Sequence, residues 1–112
     1  MCIRDRYNTE LLKPGMTFAE YSQKAWQLPD EFVDNRYGVI VHGVGLADEY
    51  PSIKNFVDFE TKGYDGVIEP GMTLCVESYM GSKYGGEGVK LEEQVLVTEN
   101  GVEQLTAYPL EL

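Results

Sequence analysis

A single histidine, His42, ends the apolar run Val39-Ile40-Val41 and is followed by Gly43 and Gly45. Downstream, Glu77 lies beside Leu74 and Val76, and Glu92 beside Val89 and Leu91. A carboxylate within a strand of apolar residues is costly to bury unless it is paired or bound to a cation. Two of them with an imidazole make an oxygen-rich site suited to a divalent transition metal. Carboxylates shared between two ions about 3.5–4 Å apart form a known hydrolytic and Lewis-acid arrangement. Two plainer readings compete. His42 is then a packed core histidine, and Glu77 and Glu92 face solvent from the polar side of a sheet.

These residues need strands to carry them. Short apolar runs bounded by glycine read as buried strands, here Gly38 to His42, Leu74 to Tyr79 and Val89 to Thr98. Gly81 to Gly88 is a glycine-rich connection. Glu99-Asn100-Gly101 is a hairpin signal, Val102 to Thr106 the return strand, and Tyr108-Pro109 the close of the chain. Upstream, Lys13-Pro14-Gly15-Met16 marks a turn, and Thr17-Phe18-Ala19-Glu20 has the form of a capping box. The spacing predicts a helix from Thr17 to Leu28, stopped by Pro29, with Phe18, Tyr21, Ala25, Trp26 and Leu28 on its core face. Pro29 to Arg36 reads as a polar loop. Asp48 to Asp65 reads as an irregular surface excursion with a strand around Phe56 to Phe59. The predicted class is α+β, a helix packed on a mostly antiparallel sheet.

At 112 residues the chain is one small domain or part of a larger one. Nine basic and 19 acidic side chains give a charge of −10. Such a chain repels nucleic acid and anionic membranes, so neither is an expected partner. Cys2 and Cys75 have no metal-type spacing and suit a reducing, cytoplasmic compartment. No apolar run approaches a membrane span. Residues 1–10 open as Met1-Cys2-Ile3-Arg4-Asp5-Arg6, which lacks a signal-peptide core and a helix or strand start. They read as a non-native or disordered lead-in, an assembly scar joined to an internal coding segment.

His42-Gly43-Val44-Gly45-Leu46, then Glu69-Pro70-Gly71-Met72-Thr73 leading to Glu77, then Gly88-Val89-Lys90-Leu91-Glu92 running into Val95-Leu96-Val97-Thr98-Glu99-Asn100-Gly101, follow in that order. This closely resembles the C-terminal part of the pita-bread metalloenzyme family, which includes methionine and Xaa-Pro aminopeptidases, prolidase and creatinase. The resemblance covers roughly Leu11 to Thr106. It implies a curved sheet and two divalent metal ions (iron, or manganese, cobalt or zinc). It also implies a small-molecule substrate and a homodimeric full-length protein. The family's ligands are Asp, Asp, His, Glu and Glu, and His42, Glu77 and Glu92 match the last three. No motif for the two aspartates precedes His42. Residues 11–112 are therefore expected to form a partial pita-bread catalytic domain with three of five ligands.

The peptidases of this family continue their histidine motif to a second histidine that contacts the scissile peptide. Here the chain reads Ala47-Asp48-Glu49-Tyr50-Pro51, and an ionised aspartate cannot donate as that histidine does. The motif is more similar to that of dimethylsulfoniopropionate lyases, a branch on the same fold. In them an aspartate six residues after the metal histidine acts as base, the offset of Asp48 from His42. The resemblance also puts Tyr37 in the substrate pocket. Aromatic faces attract a sulfonium cation, and Tyr37, Tyr79, Tyr84 and Trp26 are candidates, although each also suits ordinary packing. The alternatives are an Xaa-Pro-type metallopeptidase and a metal-free binding module of the same fold.

Overall fold

The computed structural model describes residues 2–107 and Pro109, so Tyr108 of the predicted chain close lies outside the described residues. Five strands build one antiparallel sheet: β1 (Val39–Val44), β2 (Asp48–Lys54), β3 (Thr73–Gly81), β4 (Gly88–Val97) and β5 (Val102–Gln104). Their spatial order is β2-β1-β3-β4-β5. Among the described residues four helices accompany them: α1 (Cys2–Leu11), α2 (Phe18–Lys24), α3 (Asp30–Val33) and α4 (Phe56–Lys62).

Register decides which side chains share a face. Directly opposed residues of antiparallel strands lie on the same side, and neighbours along a strand lie on opposite sides. His42 opposes Cys75 and Ser52. Cys75 opposes Gln94, Glu77 opposes Glu92, and Tyr79 opposes Lys90. These residues line what we term the front face. The back face carries Val41 against Val76 and Ile53, and Leu74 against Val95. These join Leu12, Phe18, Tyr21 and Ile68 in the buried core.

The helix predicted over Thr17 to Leu28 is shorter, and ends at Lys24. Thr17 caps it, its hydroxyl accepting from the Glu20 amide at 3.0 Å. The Glu20 carboxylate turns instead to Lys24, 2.7 Å away. Trp26 lies past the helix end, 42 % exposed, and meets the Tyr7 ring edge-on at 5.5 Å. The core placement of Trp26 is thus corrected.

Three further expectations are corrected. Residues 1–10 hold most of an ordered helix that packs on β3 and β4. Its buried side chains, Arg4, Asp5 and Asn8, are polar, which hid it from a search for apolar periodicity. Arg4 donates to Asn55 Oδ1 at 3.2 Å, and Asn8 accepts from Tyr21 Oη through its carbonyl at 2.8 Å. Asp30 and Glu31, just after Pro29, start the short helix α3 where a loop was expected, as acids at a helix start favour. Asp48 to Asp65 is not irregular, and Phe56 to Phe59 belongs to helix α4 rather than a strand. In β2 only Pro51 and Ile53 of seven residues are buried, so alternation was faint. Pro51 is tolerated because β2 is an edge strand. Strands β1 and β2 approach closely at Gly43, where a Cβ would collide with the Tyr50 carbonyl.

Candidate metal centre

β1, β3 and β4 each bring one predicted residue to the centre of the front face. His42 Nε2 lies 3.6 Å from Glu77 Oε1 and 3.3 Å from Glu92 Oε1. Two donors bound to one ion at about 2.1 Å stand roughly 3.0–3.4 Å apart, so these spacings approach what a shared ion requires. His42 and Glu77 are buried, while Glu92 is partly open.

The tautomer of His42 follows from its other nitrogen. Nδ1 is 2.9 Å from the Gly43 carbonyl, which can only accept, so Nδ1 carries the proton. Nε2 then presents a lone pair to two carboxylate oxygens. Acceptors facing one another repel unless a proton or a cation lies between them. Glu77 sharpens the point. It is 2 % exposed, and neither of its oxygens has a hydrogen bond of sound geometry. Burial pushes its carboxyl above the ordinary value, opposed by Lys90, whose Nζ lies 2.6 Å from Oε2. Pairing with Glu77 in turn raises Lys90. Burial acts in the same direction on Glu92, but Cys75, Lys90 and His42 together hold it below the ordinary value. An imidazole lone pair and two converging carboxylates form a donor set that fits a divalent cation.

Cys75 went unassigned because its sequence spacing matches no metal motif. Only register reveals it, opposite His42 and two residues before Glu77. Its thiol donates to Glu92 Oε1 at 2.9 Å, and burial, then that contact, pushes it up to about 12. His42, Cys75 and Glu92 each offer a ligand atom within 4.8 Å of the others. Lys90 was also missed, although it faces the same side as Glu92 on β4.

Asp48 opens β2, and its Oδ1 lies 3.7 Å from His42 Nδ1 with its side chain 74 % exposed. Tyr37 lies beside the centre. Its hydroxyl is raised by burial, then by Glu77. Its ring faces Lys90 Nζ at 5.3 Å, and with Tyr79, Asn35 and Arg36 it lines a cleft of about 300 Å³. Tyr84 is almost fully exposed, and Trp26 packs with α1 instead.

This sheet with its front-face donors has known counterparts. Residues 6–99 match metallopeptidase family M24, and the chain belongs to that family of metal-dependent enzymes. Over 105 residues it is 47 % identical to dimethylsulfoniopropionate lyase DddP of Roseovarius nubinhibens, a match covering 93 % of this chain and 23 % of the lyase. It is 36 % identical to the Xaa-Pro dipeptidase of Pyrococcus furiosus over 107 residues, 92 % of this chain and 28 % of that protein. The chain thus spans about a quarter of the length of these curated relatives. Among solved structures, the prolidase from Pyrococcus furiosus superposes with a TM-score of 0.72 at 30 % identity, covering 96 % of this chain and 31 % of that one. The methionine aminopeptidase from Thermotoga maritima gives a TM-score of 0.61 at 27 % identity, over 96 % and 49 %. The fold is the C-terminal part of a pita-bread domain. Among the described residues no helix is long and apolar enough to cross a membrane.

Proposed function

We propose that the full-length protein is a metal-dependent lyase that splits dimethylsulfoniopropionate into dimethyl sulfide and acrylate. One observation carries this reading. No second histidine follows His42, and an aspartate six residues on lies 3.7 Å from its ring, in a chain 47 % identical to such a lyase. His42, Glu77 and Glu92 would hold the metal, with two aspartates supplied upstream. When bound, the metal supplies Lewis acidity for the enolate-like charge that forms on the substrate carboxylate. Asp48 takes the proton from the carbon alpha to that carboxylate. The electron pair forms the C=C bond as the carbon–sulfur bond breaks, and dimethyl sulfide leaves with the sulfur pair. Asp48 is exposed, so its proton passes to water. Tyr37 offers an aromatic face to the sulfonium, on the side not taken by Lys90.

The test supplies dimethylsulfoniopropionate to the full-length protein and measures dimethyl sulfide, beside a proline-containing dipeptide. Asp48→Asn should cut the lyase rate by about 10²–10⁴-fold and leave metal content unchanged. Dipeptide cleavage without dimethyl sulfide would overturn the lyase reading. It would favour the Xaa-Pro-type peptidase that the 36 % identity also supports. Residues 1–112 alone should show no turnover, because ligand number and charge are both reduced.

A further inference from the structure

Lys90 is the one charged neighbour of the metal centre to which no role has yet been given. Its backbone on β4 opposes Tyr79, two residues beyond Glu77 on β3. Its Nζ lies 2.6 Å from Glu77 Oε2 and 3.6 Å from Glu92 Oε2. The contacts to His42 Nε2 run through the other oxygens, Glu77 Oε1 at 3.6 Å and Glu92 Oε1 at 3.3 Å. The two acids are thus divided oxygen by oxygen, Oε1 toward the imidazole and Oε2 toward the ammonium. Among the described residues no other lysine or arginine comes within 4 Å of either acid.

We propose that Lys90 is a positioning residue for the metal centre: its ammonium fixes the outer oxygens of Glu77 and, less closely, Glu92, so that their Oε1 atoms stay converged beside His42 Nε2. The proposal rests on Glu77 and Glu92 being metal ligands, as in the reading above, and not on the substrate. A carboxylate turns readily about its last bond, and a glutamate side chain loses rotamer freedom when it is fixed. A cation held behind the carboxylate removes that freedom before any ion arrives, as outer partners of metal ligands do. Glu77 needs such a partner most, because it is buried. Its contact with Lys90 is ionic rather than a directed hydrogen bond, so charge is what holds it. That charge also repels an incoming cation. Coulomb energy falls with distance, however, and the ammonium meets Oε2 rather than the Oε1 side where the ligand atoms converge. Lys90 is itself placed by aromatic neighbours. Its Nζ lies 5.3 Å from the centre of the Tyr37 ring, and Tyr79 lines the same cleft. The Tyr79 phenol has room there because Gly81 and Gly88 oppose each other, where a Cβ would stand 2.5 and 2.9 Å from its hydroxyl oxygen.

The test uses the full-length protein and reads metal binding directly. Zn²⁺ affinity is measured by competition with a chromophoric chelator, for wild type, Lys90→Met and Lys90→Arg. Lys90→Met keeps the stem and removes the charge. It should weaken Zn²⁺ binding by about 10–100-fold, the range for an outer partner of a ligand. Lys90→Arg keeps the charge and should recover most of that affinity. Circular dichroism and the unfolding midpoint report whether each variant keeps the fold. Lys90→Gln, neutral and polar, gives the same reading where methionine disturbs it. A merely structural lysine would shift the midpoint and leave Zn²⁺ affinity alone. Unchanged or tighter Zn²⁺ binding in the folded neutral variants would overturn the proposal and leave Glu77 and Glu92 as ligands. A raised KM for dimethylsulfoniopropionate with unchanged Zn²⁺ affinity would also overturn it, and make Lys90 a substrate contact. A wild-type protein that binds none of Zn²⁺, Mn²⁺ and Fe²⁺ would overturn both the proposal and the metal reading.

Discussion

Glu92 and Glu93 are consecutive on β4, yet they face opposite sides of the sheet and meet opposite fates. On the front, Glu92 lies among the Cys75 thiol, which donates to it, the Lys90 cation and the His42 ring nitrogen that converges on the same place. On the back, Glu93 is 2 % exposed under α1, with one oxygen bonded to Thr106 Oγ1 and the other without a partner. Asp5 of α1 is fully buried nearby with neither oxygen hydrogen-bonded, and Ser78 Oγ is likewise unpartnered. The contrast teaches that burial of an acid does not mark a site. Convergence of ligand-type donors from separate strands does, and the back-face acids Asp5 and Glu93 have no imidazole or thiol beside them among the described residues.

The comparison breaks most visibly at Glu92. In the full-length protein, Glu92→Ala should remove metal and activity together, by more than the roughly 10–100-fold typical of an outer-shell residue. Metal analysis beside rate measurement checks this. Retention of both would make Glu92 no more than a solvated acid.

A paired buried acid elsewhere gives the next effect. Asp58 on α4 accepts two hydrogen bonds from Arg36, at 2.6 and 2.7 Å. Asp58→Ala should cost about 2 kcal/mol in urea unfolding, the scale of a charge-assisted bond. Its carboxyl is held below the ordinary value, first by those bonds. The stabilisation is therefore present above the unfolded Asp value near 4 and is lost as pH falls through the lower folded value. The gap between wild type and variant should shrink in acid.

Asp5 has the opposite sign. Burial pushes its carboxyl up, against the pull of Ser78 and Arg4. Its contribution is then most favourable below about 4 and declines as pH rises through the raised folded value. Asp5→Asn should abolish that slope and add about 1–2 kcal/mol at neutral pH. Unchanged unfolding curves at acid and neutral pH would show that the back-face acid is not isolated. The smallest effect lies away from both faces. Thr17→Ala should cost about 1 kcal/mol through the lost α2 cap, without altering metal binding.

Much of this was legible in the chain itself. His42, Glu77 and Glu92 stood out because polar residues interrupted apolar runs, and β1, β3 and β4 were visible as those runs. Strand β2 was not, because an edge strand with a proline has little to alternate. Helix α1 was hidden because its inward residues, Arg4, Asp5 and Asn8, are polar. Cys75 was invisible for another reason. Its importance lies in which residue faces it across the sheet, and register is set between strands rather than within one.

Gly43 carries a consequence for how Asp48 is aimed. β2 can lie against β1 there only because position 43 ends in a hydrogen atom. The 3.7 Å reach from Asp48 to the imidazole is therefore metered by backbone thickness, not by either acting residue. A single methyl group added at position 43 would lift the strand that starts with the acid. In a scan of all substitutions, this position would score as harshly as the acid, although it never meets substrate.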